Sequence, residues 1–114
     1  MSQPSEIFVE PGIAGIVSRI AERLAESGKY VRLRRPADNE FAIEGLNEPF
    51  GEAKALIELS FQPGMQIESR VSRVARGTWV VVIGEHLDLT GPGPNELPDF
   101  YDRLLKAAVG PFGD

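Results

Sequence analysis

His86 and Asp88 are the residues best suited by type and spacing to chemistry. On a regular strand they share one face, with Glu85 and Leu87 on the other. An imidazole oriented by a carboxylate can serve as a general base or supply two metal ligands. His86 is the only histidine, the chain has no cysteine, and no activated-serine motif accompanies the pair. Neither a nucleophilic triad nor a metal site is therefore completed, and a polar pair at a strand end accounts for these residues equally well. Carboxylate pairs are numerous in an acidic chain and none has a distinguishing spacing. Gly91, Pro92, Gly93 and Pro94 invite comparison with a phosphate-binding loop, but the prolines remove the backbone donors such a loop needs, and neither glycine-rich nucleotide pattern is present. Arg70, Arg73 and Arg76 have the charge to hold an anion or nucleic acid, yet only Trp79 lies near them as a stacking partner. Charges that discourage uncontrolled edge pairing explain the same arginines. These residues predict no catalytic site, no cofactor and no metal.

The elements that must position them fit one domain. The chain has 114 residues, of which 42% are hydrophobic, enough for one modest core, so residues 1–114 are expected to form a single unit. The absence of cysteine excludes disulfides, thiolate nucleophiles and thiolate-bound metals. The first residues lack the basic and apolar regions of a signal peptide, and no stretch is long and apolar enough to span a membrane. A soluble, intracellular protein is the expectation.

Twelve basic against 17 acidic residues leave a net charge of −5, which argues against a main task of holding nucleic-acid phosphates. The acidic residues Asp38, Glu40, Glu44, Glu48, Glu52, Glu58 and Glu68 are opposed within their stretch only by Lys54, and Arg32, Arg34, Arg35 and the three later arginines flank them. This pattern predicts one acidic and one basic surface, read either as ordinary solvated faces or as complementary patches for self-association or a partner.

Along the chain, residues 1–9 read as a loose arm, although Ile7, Phe8 and Val9 are apolar enough to pack beneath the first helix or reach a neighbour. Residues 11–28 read as that helix: Pro11 suits its first turn, Ile13, Ile16, Val17, Ile20 and Leu24 recur at helical spacing, and Ser27 with Gly28 supplies the stop. Strands follow at 29–35, 40–46, 53–61 and 66–75, with a turn at 36–39, and a loop at 47–51 in which Phe50 is a candidate plug or contact residue. Residues 78–89 are apolar on both alternating faces from Trp79 to Ile83, the pattern of a central strand covered on both sides. Val71 and Val74 cannot share a side of a regular strand, so a bulge near Ser72 and Arg73 is expected. After the glycine and proline segment, Asn95 is the expected N-cap of a final helix with Pro98 in its first turn, carrying Leu97, Phe100, Tyr101, Leu104, Leu105 and Ala108 on its apolar stripe. The fold class is α+β: an N-terminal helix, an antiparallel sheet of four to five strands with a long central hairpin, and a C-terminal helix on the sheet. Two helices cover only one sheet face fully, so the other is expected to meet another subunit.

The order of these elements, with the alanine-containing strand around Ala53 and Ala55, the arginine-bearing strand leading into residues 78–83, and the closing helix ending at Gly110, Pro111, Phe112 and Gly113, resembles the tail terminator, or tail-completion, proteins of tailed bacteriophages and prophages. The resemblance spans most of the chain from about Ile13 and rests on element order, length and the ending. It implies a small α+β subunit without catalytic residues that forms a hexameric ring on the tail tube, stops tube polymerisation and meets the head connector. It implies the host cytoplasm during assembly and the virion tail afterwards, with DNA only passing through the channel and no membrane association. Under it, Asp38, Glu40, Glu44, Glu48 and Glu52 would belong to an acidic ring or lumen face, and Arg70, Arg73, Arg76, Arg32, Arg34 and Phe50 to interfaces. A small acidic protein-binding module, of the secretion-chaperone or immunity type, acting as a dimer or a one-to-one complex, is the alternative. A small-molecule-binding domain would require a concave apolar pocket.

Overall fold

The computed structural model describes residues 12–64, 66–75, 77–82, 84, 86–88 and 93–109. The arm at 1–9, Pro11 and the ending at 110–114 lie outside them. Helix α1, Gly12–Glu26, follows the helical spacing of its apolar residues. Ile16, Val17, Ile20 and Leu24 are buried, while Ser18, Arg19, Glu22 and Glu26 stay exposed. Its end is made as the sequence requires: the Ser27 hydroxyl donates to the Leu24 carbonyl at 2.6 Å, and Gly28 takes a positive φ of 96°, which lacks a side-chain penalty only for glycine.

Strands β1 (Tyr30–Ala37), β2 (Glu40–Leu46), β3 (Ala53–Gln62) and β4 (Gln66–Ala75) form an antiparallel meander, followed by β5 (Thr78–Val82) and β6 (His86–Asp88). The sheet order is β1-β2-β3-β4-β5, and β6 also pairs with β4. The α+β architecture is as expected, with six strands among the described residues where four to five were expected. Strand β1 runs two residues further than the sequence pattern reached: a register shift between Arg34 and Ala37 lets it absorb Pro36, and the turn narrows to Asp38 and Asn39.

Helix α2, Gly93–Val109, closes the domain. It begins before Asn95, which is therefore a helical residue and not the cap, and Pro98 lies inside the helix. Gly93 and Pro94 occupy the opening positions, where a missing N–H costs nothing because those donors have no intrahelical acceptor. Helices α1 and α2 pack on the same side of the sheet and on each other. Between them and the sheet lies one core that includes Ile16, Ile20, Leu24, Ile43, Ile57, Leu59, Ile67, Val71, Phe100 and Leu104. Burying side chains of this size is worth about 1.5–3 kcal/mol each.

Two further expectations need correction. The described residues of 78–89 do not form a central strand: they divide into β5 and β6, which both pair with β4 and lie at the border of the sheet, while Ile83, Glu85 and Leu89 lie outside the described residues. The bulge is also elsewhere. Strand β4 keeps unbroken register through Ser72 and Arg73 against both β3 and β5. The irregularity sits opposite, where Val71 pairs with Val82 but Glu68 pairs with His86, so three residues on the β5–β6 side face two on β4. That extra residue reverses which side chains face the core: Val82 does so on β5, opposite buried Val71, and Leu87 on β6, opposite buried Ile67. On the regular β4, Val74 has the opposite parity to Val71, so it turns away from the core and stands opposite Trp79.

Candidate interaction surface

Strand alternation sends every second side chain to the face on which neither α1 nor α2 packs. On that face Leu56, Ser72 and Val81 lie in one cross-strand row, with Val74 and Trp79 in the next. Trp79 is 52% exposed and Val81 62% exposed, while Leu56 and Val74 are half-buried. The result is an apolar patch at the border of an open sheet, next to the strand edge of β5. The sequence signal was the run of apolar residues on both parities between 79 and 83. It gave the right number of apolar faces but not their covering, since one faces the helices and the other solvent.

A charged cluster occupies the same face on the other side of the sheet. Arg32 Nε donates to Glu44 Oε1 at 2.6 Å, and Arg34 Nη2 lies 3.0 Å from Glu44 Oε2. Glu44 is opposite Arg32 in the β1–β2 ladder, and its side chain is only 8% exposed under the two guanidinium groups. Two charge-assisted contacts compensate the loss of water around this carboxylate. Glu44 is thus engaged with the arginines and not presented on an acidic face.

The remaining acidic candidates separate. Asp38 and Glu40 stand at one end of the β1–β2 hairpin, and Glu48 and Glu52 in the connection to β3 at the other. The length of β2, about 20 Å, lies between them. Glu40, Glu58 and Glu68 instead border a cleft of about 250 Å³ with Arg70. His86 Nδ1 lies 3.9 Å from Glu68 Oε2, both exposed. Among the described residues no group of three or more potential ligands is placed to hold a metal ion.

The arginines divide as well. Arg70 is exposed opposite Glu58 on the open face. Arg73 has the opposite parity and is buried, 9% exposed. It borders a small cavity of about 50 Å³ together with Lys29, Lys54, Ala108 and Val109, beside the last turn of α2, where unpaired carbonyls concentrate negative potential. Arg76 lies outside the described residues. Phe50 is 99% exposed with a φ of 62°, so it plugs nothing within the subunit, and a bulky residue in this backbone region is strained.

No family model, curated protein or solved structure matches this chain. Among the described residues no helix is long and apolar enough to cross a membrane.

Proposed function

We propose that this chain is a non-enzymatic assembly subunit that associates with copies of itself, as the terminator of a phage-type tail tube: a ring, six-membered by the resemblance in element order, that caps the tube, ends its growth and meets the head connector. The observation that carries the reading is the sheet face away from α1 and α2, where Trp79 and Val81 stand half or more exposed beside Leu56 and Val74. Exposed apolar residues gathered in this way at a sheet border favour a protein contact. The bordering edge of β5 offers backbone groups in the same place. The net charge of −5 suits a channel through which DNA passes without being held.

Native mass spectrometry over a concentration series, with negative-stain imaging at the highest concentration, tests the proposal. Six-subunit rings with a central hole, lost in Val81→Asp while the monomer stays folded, are the expected outcome. A discrete dimer that persists on dilution replaces it with the protein-binding module, and a ring indifferent to Val81→Asp removes the sheet face from the interface.

A further inference from the structure

The two borders of the sheet match each other. Among the described residues, the outer edges of β1 and β5 pair with no other strand, and each leaves backbone donors and acceptors unused. Of the five large hydrophobic side chains exposed among those residues, four stand on these two strands: Tyr30 and Leu33 on β1, Trp79 and Val81 on β5. Their faces correspond. Tyr30 and Arg32 share with Trp79 and Val81 the face away from α1 and α2, while Val31 and Leu33 have the helix-side parity of Val80 and Val82. Both strands run in one direction, because four antiparallel steps separate them. Each offers five residues in regular register, 30–34 and 78–82.

We propose that β5 of one copy pairs in parallel with β1 of the next, so that the sheet continues from subunit to subunit. The inference rests on the self-association proposed above and names the element that takes the Trp79 and Val81 patch. Charge selects this pairing over the symmetric ones. Strand β1 carries Arg32, Arg34 and Arg35, whereas β5 carries no charged residue. Pairing β1 with its own copy sets arginines against arginines across the ladder, and Glu44 already serves two of them. Pairing β5 with its own copy meets no repulsion, but it leaves Tyr30 and Leu33 in water. Only β5 against β1 covers all four exposed side chains. It also brings Arg32 to the side of Trp79, whose indole face attracts a cation. The contact is heterologous, and closing it into a ring leaves no free edge on any copy.

Complementation between two border variants of the full chain, read by native mass spectrometry, tests it. Leu33→Asp disables the β1 border and keeps that of β5, and Val81→Asp does the reverse. Both positions are more than half exposed, so each variant should keep the circular dichroism of the folded monomer. Neither should associate alone. An equimolar mixture should form a one-to-one pair and nothing larger, because that pair uses the two intact borders and leaves only the disabled ones. Dimers of Leu33→Asp alone would overturn the proposal in favour of β5 against β5. Wild-type assemblies built by Leu33→Asp, or a mixture that yields no pair while the wild type assembles, would remove β1 from the contact and leave self-association standing. A wild type that stays monomeric at every concentration removes self-association, and this inference with it.

Discussion

Gly84 passes so close to Ser69 that a Cβ built on it would stand 1.9 Å from the Ser69 carbonyl oxygen and 2.8 Å from the Arg70 nitrogen. The contact is between backbones, so no side chain can move aside. Gly84 occupies the bulge that reverses the facing of residues between β5 and β6. Gly84→Ala should destabilise the fold by about 2 kcal/mol or more through overpacking, and the loss should appear in urea denaturation with an unchanged dependence on denaturant. Amide exchange should quicken first at Leu87, whose burial depends on the bulge.

Arg70 and Arg73 should behave differently despite their spacing. Arg73→Glu places a buried negative charge beside the carbonyl end of α2 and should cost about 2 kcal/mol or more in denaturation experiments. Arg70→Glu, exposed on the sheet face, should stay within about 0.5 kcal/mol of the wild type.

Leu24 and Gly45 are coupled across the contact of α1 with β2. A Cβ at Gly45 would lie 3.2 Å from Leu24 Cδ2. Gly45→Ala should therefore cost about 1–3 kcal/mol in the wild type. In a Leu24→Ala background, itself down by about 2–5 kcal/mol, the same change should cost less. A double-mutant cycle measures the difference, and strict additivity would show that the helix shifts without resistance.

Tyr101 adds a pH dependence. Burial pushes its phenol above the ordinary value of 10.0, opposed by the nearby positive charges of Arg19 and Arg23. The unfolded chain thus releases this proton at lower pH than the folded one. The stability contributed by the neutral phenol is complete below pH 10 and is lost as the pH rises through the folded-state value. In a Tyr30→Phe background, which leaves Tyr101 as the only tyrosine, absorbance should record an ionisation above pH 10. Tyr101→Phe should flatten the alkaline fall in stability.

The helices and the core were legible because their signal is local. The spacing of Ile16, Val17, Ile20 and Leu24, and of Leu97, Phe100, Tyr101, Leu104, Leu105 and Ala108, falls on buried residues, and the side chain of Ile13 lies outside the described ones. The alternation of Ala55, Ile57 and Leu59 likewise gave the inner face of β3. The position of residues 78–88 was not legible, because apolar side chains on both parities describe two dry faces and also a strand exposed at a border. The charged residues were read by proximity along the chain. Parity separates Arg70 from Arg73, and the meander carries Asp38 and Glu52 to opposite ends of the sheet. Glu44 showed no sign in the sequence of being claimed by Arg32 and Arg34, since that contact depends on the β1–β2 register.

Consecutive strands from β1 to β5 are neighbours in the sheet, and two of their connections are only two residues long. Each hairpin closes a short loop, so the sheet can assemble stepwise at little entropic cost. The ion pair of Arg23 with Asp102 is different, because it joins positions 79 apart and forms only when α2 closes on α1. The sheet is thus the part that a nascent chain can build as it emerges, and the final helix is the latch that makes the domain cooperative.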